Sequence, residues 1–177
     1  DKINLFEIGL GSNTQGIEGW MGPNATPGAS VYAWSEYFKK GQIYGGDIDK
    51  KIIFQNKKKR IKTYQMDQKS KADIDRVFSA IGEEMDIIID DGRHWPDHNK
   101  AFLEYSFKYL KKGGLFIIED LYLNKHSRGD FVKMHKENLK FAKSNASYAD
   151  ILRLKTNYGK KSKDGLDISN NLMIILK

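Results

Sequence analysis

The stretch Met85-Asp86-Ile87-Ile88-Ile89-Asp90-Asp91-Gly92-Arg93-His94-Trp95-Pro96 decides the fold. Its apolar run reads as a strand over 85–90, buried on both faces as in a parallel sheet. Two acids and a glycine follow at the strand tip. Pro96 then opens a helix, where a missing N–H costs little. Strand, polar turn and helix in that order form part of a parallel α/β unit.

The same alternation continues outward in both directions. Strands are expected at 3–8, 42–46 and 60–66 before this segment, and at 115–118, 151–155 and 172–176 after it. Helices are expected at 31–40, 70–81, 96–110 and 131–143. The first shows Val31, Trp34, Tyr37 and Phe38 on one face. Lys112-Gly113-Gly114 reads as the end of the third. The sum is an α/β fold with a seven-stranded, mostly parallel sheet and helices on both faces. In such sheets ligands gather at the carboxyl ends of the strands, near the point where strand order reverses.

The length of 177 residues suits one domain with one core, here 1–177. The first residues already read as a buried strand, so a segment ahead of Asp1 is expected to be missing. With no cysteine, disulfides and thiolate metal sites are excluded. No apolar run approaches the roughly 20 residues that span a bilayer. A cytoplasmic location is the default expectation. The net charge of +7 comes from dispersed lysines, read as a solvated surface. Its densest cluster, Lys57-Lys58-Lys59-Arg60, reads as a surface turn. Nucleic acid is therefore a disfavoured partner, and oligomeric state is open.

The first strand exits as Glu7-Ile8-Gly9-Leu10-Gly11-Ser12-Asn13. Gly9 and Gly11 let backbone N–H groups approach a ligand closely. The third glycine of a dinucleotide fingerprint would fall at Thr14. The loop also runs on to Ser30 without opening a helix, which removes the dipole that holds a pyrophosphate. Both points favour a cofactor without phosphates over a nicotinamide. Asp47, at the tip of the second strand, is placed to bind ribose hydroxyls. Asp49 is read as a cap for the next few residues of chain. Asp67, at the tip of the third, is placed to receive an adenine amino group. Ser12, Gln68 and Asp90 complete the expected donor side.

Two neighbouring strands each end in a pair of acids, Asp90-Asp91 and Glu119-Asp120. Adjacent strand ends lie about 5 Å apart. Three carboxylates in that space repel, and some must take up protons unless a cation intervenes. An all-oxygen set favours Mg²⁺, Ca²⁺ or Mn²⁺ over Zn²⁺. His94 follows Asp91 by three residues and is the expected general base. His98 is placed one turn later, behind the site or facing substrate. His126 and His135 have no comparable context.

Residues 86–121 resemble the metal-dependent sugar O-methyltransferases that tailor macrolide antibiotics, the mycinamicin and macrocin types. They also resemble relatives described as rhamnosyl O-methyltransferases or cephalosporin hydroxylases. That family shows Asp-Asp-Gly-Ser-His, then Gly-Gly-Leu, an aromatic, two aliphatics and Glu-Asp. Here stand Asp90-Asp91-Gly92-Arg93-His94 and Gly113-Gly114-Leu115-Phe116-Ile117-Ile118-Glu119-Asp120. The turn from Glu7 to Ser12, Met21-Gly22 with Pro27-Gly28-Ala29-Ser30, and Asp167-Ile168-Ser169-Asn170-Asn171-Leu172 also match.

The resemblance implies a Rossmann-like class I methyltransferase using S-adenosyl-L-methionine and Mg²⁺ or another divalent cation. By position it assigns Asp91, Glu119 and Asp120 to the metal, and His94 to the proton. Glu7, Gly9, Asp47 and Asp67 fall around the methyl donor. The implied substrate is a sugar hydroxyl, on a nucleotide-activated or surface-polysaccharide sugar. RNA or another small molecule is the alternative acceptor, and a non-catalytic donor-binding domain is a third reading. A hydroxylase is disfavoured by oxygen-only ligation. Arg93 departs from the family's serine. It either binds an anionic acceptor group or pairs with Asp90 or Asp97. The stretch 121–130 is shorter than the lid of related enzymes. Trp20, Trp95 and Tyr122 are candidates to stack on a sugar.

Overall fold

The computed structural model describes residues 2–17, 21–123, 130–153 and 171–177. Trp20, His126 and the closing motif up to Asn170 lie outside the described residues, as does most of the 121–130 stretch.

In chain order the elements are β1 (Asn4–Ile8), α1 (Ala29–Tyr37), β2 (Gln42–Asp47), β3 (Gln55–Asn56), β4 (Ile61–Gln65) and α2 (Lys71–Ile81). β5 (Met85–Asp90), α3 (Pro96–Ser106), β6 (Leu110–Ile118), α4 (Phe131–Asn145), β7 (Tyr148–Arg153) and β8 (Asn171–Leu176) follow. The strands form one sheet in the order β3-β4-β2-β1-β5-β6-β8-β7. β4, β2, β1, β5 and β6 run parallel, while β3 pairs antiparallel with β4, and β8 with β6 and β7. The chain leaves β1 toward β2 and β4, then returns to β5 on its other side. The reversal of strand order therefore lies between β1 and β5, where an open α/β sheet places its ligand crevice.

Side-chain alternation sorts the core into two layers. Phe6, Ile88, Phe116 and Ile175 point to the face covered by α2, α3 and α4, where they meet Phe78, Phe102 and Ala142. The Phe6 and Phe78 rings lie 4.7 Å apart. Leu5, Ile43 and Ile89 point to the other face and meet Val31 of α1. Among the described residues, no helix is long and apolar enough to cross a membrane.

The structure shifts several expected boundaries. The sheet has eight strands where seven are expected, because Gln55–Asn56 adds a two-residue edge strand. The third helix stops at Ser106, and Phe107–Tyr109 make one tighter turn. Lys112-Gly113-Gly114 is no helix end but lies within β6, where pairing jumps from Met85↔Leu110 to Ile87↔Leu115. The reason is the far end of the chain. The Lys177 ammonium donates to the Phe107 and Leu110 carbonyls at 3.0 and 2.6 Å, and the Gly113 N–H donates to the Lys177 carbonyl. Residues outside the turn thus satisfy the carbonyls that a glycine cap would otherwise relieve. Tyr37, expected on the buried face of α1, is 76% exposed. The Lys57-Lys58-Lys59-Arg60 cluster makes the turn between β3 and β4, with its lysines exposed. Arg60 turns inward and donates to the Ser35, Phe38 and Gly41 carbonyls at the end of α1.

On α4, Asn138 donates to the Pro96 carbonyl at 2.9 Å, tying α4 to the start of α3. One turn earlier His135 is fully buried, and neither ring nitrogen has a hydrogen-bond partner. Burial pushes its pKa down from 6.5 to about 4. Between those values the unfolded chain binds a proton that the folded chain refuses. Folding stability therefore falls as pH drops from 6.5 toward 4. His135→Leu removes both unpaired nitrogens. It is expected to raise stability by about 1–3 kcal/mol and to flatten that acid limb in denaturation measured at a series of pH values. An unchanged acid limb would assign the loss to other groups.

Candidate active site

A cavity of about 550 Å³ opens at the carboxyl ends of β1, β2, β4 and β5. Its walls include Gly9, Gly11, Ser12, Asp47, Asp67 and Gln68 on one side, and Asp91, His94, Trp95 and His98 on the other.

The glycine turn is fixed by backbone contacts. The Gly9 N–H donates to Gly46 O at 2.9 Å, and the Asp91 N–H donates to Ile8 O at 3.0 Å. Gly9 has φ +93°, and a Cβ there would come within 2.0 Å of the Asp91 carbonyl oxygen. The tip of β1 thus lies flat against the tip of β5, and only glycine permits it. Asp47 holds the same turn from β2. Its Oδ2 accepts the Leu10 N–H and its Oδ1 the Asp49 N–H, both at 2.8 Å. Burial pushes the Asp47 carboxyl upward. Ser12 donates to Asp49 at 2.5 Å, which helps to hold the Asp49 carboxyl below its ordinary range. Asp49 also caps the short turn Lys50–Ile52, as expected. Asp67, at the end of β4, accepts the Lys69 N–H at 2.8 Å.

Register places the acids. Ile8 pairs with Asp90, and Asp90 with Ile118, so Asp91 and Glu119 stand side by side just past the last pair. Alternation puts Glu7, Asp91 and Glu119 toward the α1 face, and Asp90 toward α3. Asp90 is fully buried, where it accepts from Gln68 Nε2 at 2.6 Å, Asn99 Nδ2 at 3.0 Å and the Gly92 N–H at 3.2 Å. Burial pushes its pKa up to about 6. Glu7 accepts from Ser30 Oγ and, at 2.5 Å, from the Trp34 indole N–H. Burial holds it at about 7. Glu7 and Asp90 therefore stand behind the cavity wall.

Asp91 is the most perturbed of the group. Burial, followed by the charges of Glu119, Glu7, Asp120 and Asp90, pushes its pKa up to about 8. Burial and then Asp120 also raise Glu119. His94 Nε2 lies 3.9 Å from Asp91 Oδ1, beyond hydrogen-bond reach, and burial lowers the His94 pKa. His94 Nδ1 is buried without a partner. His94 and Asp120 both hold left-handed backbone, at φ +59° and +49°. Among the described residues, no three His, Asp or Glu side chains stand at metal-ligand spacing. The donor set nonetheless fits a hard divalent cation. Its groups are carboxylate oxygens on two adjacent strand tips, whose mutual repulsion a bound cation would relieve.

Arg93 lies over the Trp95 ring at 3.8 Å. Asp97 is engaged by Lys69 at 2.7 Å and by His98 at 3.1 Å, while Asp90 is engaged by Gln68, Asn99 and Gly92. Trp95 also meets Phe131, and Phe131 meets Tyr122, each pair of rings 6.0 Å apart. Sequence reasoning missed Asn99, Ser30 and Trp34 as partners of buried acids. Only Asn99 left a signal. It shares a helical face with Phe102, Leu103 and Ser106, a polar residue where the core requires a partner.

No protein-family model matches the chain. It is 35% identical over 122 residues to mycinamicin VI 2''-O-methyltransferase of Micromonospora griseorubida, covering 68% of this chain and 28% of that protein. It is 35% identical over 119 residues to 8-demethyl-8-alpha-L-rhamnosyl tetracenomycin-C 2'-O-methyltransferase of Streptomyces olivaceus, covering 67% and 29%. Among solved structures it resembles the MycE methyltransferase of the mycinamycin biosynthetic pathway, in complex with Mg, SAH and mycinamycin VI. The TM-score is 0.66 at 24% identity, covering 99% of this chain and 45% of that one. The fold is therefore that of the class I methyltransferases. Within that fold the matched part of the chain is similar to sugar O-methyltransferases of the mycinamicin and tetracenomycin types, and the chain spans under a third of the length of these curated relatives.

The contact between Gly9 and Asp91 makes a direct test. Gly9→Ala is expected to destabilise the fold by about 3 kcal/mol or more in chemical denaturation. Gly16 has φ +85° with open space around a Cβ. Gly16→Ala carries backbone strain alone and is expected to cost about 1–2 kcal/mol. Equal losses would remove the close contact from the account.

Proposed function

We propose that this domain transfers a methyl group from S-adenosyl-L-methionine to a sugar hydroxyl, with a divalent cation at Asp91, Glu119 and Asp120 and His94 as base. The observation that carries the reading is the juxtaposition across one cavity. A glycine turn with Asp47 and Asp67 lies on one wall, and Asp91 with His94 lies on the other. The relatives support it, since their names specify O-methylation of mycinamicin and of rhamnosyl tetracenomycin-C. Those names favour a sugar already attached to an aglycone over a nucleotide-activated or polysaccharide sugar.

The residues divide the work. The backbone N–H groups of the glycine turn and Ser12 line the donor wall; Asp47 faces the ribose hydroxyls and Asp67 the adenine edge. Glu7 and Asp90 support that wall from behind. A bound divalent cation supplies Lewis acidity and a template for neighbouring hydroxyls. Burial lowers the His94 pKa, which favours the neutral ring that can accept a proton. As the acceptor oxygen bonds to the methyl carbon, the carbon–sulfur bond breaks and the hydroxyl proton passes to His94. Alignment is worth up to about 7–11 kcal/mol in favourable systems. Trp95 and Tyr122 give the acceptor side an aromatic wall.

Two variants test this on a rhamnosylated aglycone as acceptor. His94→Ala is expected to lower kcat by about 10²–10⁴-fold while S-adenosylhomocysteine still binds. Full kcat at neutral pH would sink the base assignment. Chelation is expected to abolish turnover, and added Mg²⁺ to restore it in the parent protein but not in Asp91→Ala. Because Asp91 holds a proton up to about pH 8 without metal, cation affinity is expected to rise with pH toward that value. Turnover that survives thorough chelation would overturn the metal role.

A further inference from the structure

Gln68 lies at the end of β4, on the cavity wall where a donor ligand would be sought. Its amide is already engaged by protein at both ends. Nε2 donates to the buried carboxylate of Asp90 at 2.6 Å, and Oε1 accepts the Arg93 N–H at 3.0 Å. Asp90 in turn takes the Gly92 N–H and the Asn99 amide. The loop backbone lies directly on this amide, for a Cβ at Gly92 would come within 2.4 Å of Gln68 Oε1. Residues 92 and 93 are thus held by two adjacent N–H bonds, both traced to one buried pair. Asp91 precedes that hold and His94 comes after it.

We infer that Gln68 is a positioning residue for the acidic loop and not a ligand of the methyl donor. Through Asp90 and the Arg93 amide it sets the direction in which Asp91 and His94 face the cavity. The role of the loop rests on the proposed methyl transfer, whereas the brace rests on the hydrogen bonds alone. A side chain that orients a ligand-bearing loop acts on metal affinity, while a donor ligand acts on donor affinity.

Gln68→Met keeps the length of the side chain and removes both hydrogen bonds. Three measurements on the full chain separate the roles: S-adenosylhomocysteine affinity by calorimetry, Mn²⁺ affinity by electron paramagnetic resonance, and hydrogen exchange of the Arg93 amide by NMR. The brace predicts exchange faster by about tenfold or more and Mn²⁺ affinity lower by about 10–100-fold, with S-adenosylhomocysteine affinity kept within about twofold. Gln68→Glu loses the donor to Asp90 but keeps the acceptor for the Arg93 N–H; it is expected to lower Mn²⁺ affinity with S-adenosylhomocysteine affinity kept, which covers the case of a poorly folding methionine variant. Lost S-adenosylhomocysteine affinity with Mn²⁺ binding intact would make Gln68 a donor ligand and overturn the inference. Unchanged exchange and unchanged Mn²⁺ affinity would overturn it as well. If the parent protein binds neither probe, the methyltransferase reading fails, and the Arg93 amide still decides the brace.

Discussion

The backbone of Gly9 rests against the carbonyl of Asp91, and the site is arranged around that contact. It joins the tips of β1 and β5, the two strands between which the sheet reverses its order. A side chain at position 9 would drive them apart. The Asp91 N–H bond to Ile8 and the Gly9 N–H bond to Gly46 extend the same seam across three strands. A glycine loop and an acidic loop that are remote in sequence become two walls of one cavity. The sheet supplies the register, and the missing Cβ supplies the distance.

Electrostatics then separates the acids by environment. Asp49, Asp73 and Asp75 are paired or capped, and their carboxyls are held below the ordinary range. Glu7, Asp47, Asp90, Asp91 and Glu119 all move the other way, with burial as the leading cause. Neutral partners share the load at three of them: Ser30 and Trp34 at Glu7, backbone N–H groups at Asp47, and Gln68 and Asn99 at Asp90. Asp91 and Glu119 instead face further negative charge. A carboxyl raised by burial and then by like charges at a cavity, as at Asp91, is poised for a ligand in a way that capped carboxylates are not.

How far the sequence reveals this depends on the range of the interaction. β5 is expected at 85–90 and found at Met85–Asp90, because burial on both faces leaves a local signature. The start of α3 is legible locally too, through Pro96 at its first turn, and α2 begins within one residue of the expected 70–81. Lys112-Gly113-Gly114 misleads because its local glycine signal is overridden by Lys177, some 65 residues away. β3 has no periodicity to detect in two residues. The strand tips are legible as acids, since strand ends gather ligands whatever the sequence between them. Which acid faces the cavity and which supports it is not legible, because Asn99, Trp34 and Gln68 reach their carboxylates across the fold. Gln68 shows this best: its position at a strand tip points to the donor, while its two bonds point to the loop.

Strain marks the same two loops by an independent route. Among the described residues, three that are not glycine hold left-handed backbone: Arg60, His94 and Asp120. Arg60 is explained by its bonds to the end of α1. The other two lie just past the tips of β5 and β6, one turn each, at the edge of the acidic cluster. Histidine and aspartate tolerate this conformation better than branched residues, yet it still opposes the chain's ordinary preference. Such residues persist where the surroundings fix them. At His94 those surroundings include the hydrogen bonds from Gly92 to Asp90 and from Arg93 to Gln68, immediately before it. The brace, the strain at His94 and the raised carboxyl of Asp91 thus fall on one loop. Folding holds the loop in a form that its own residues would not choose, and that form turns Asp91 and His94 toward the cavity.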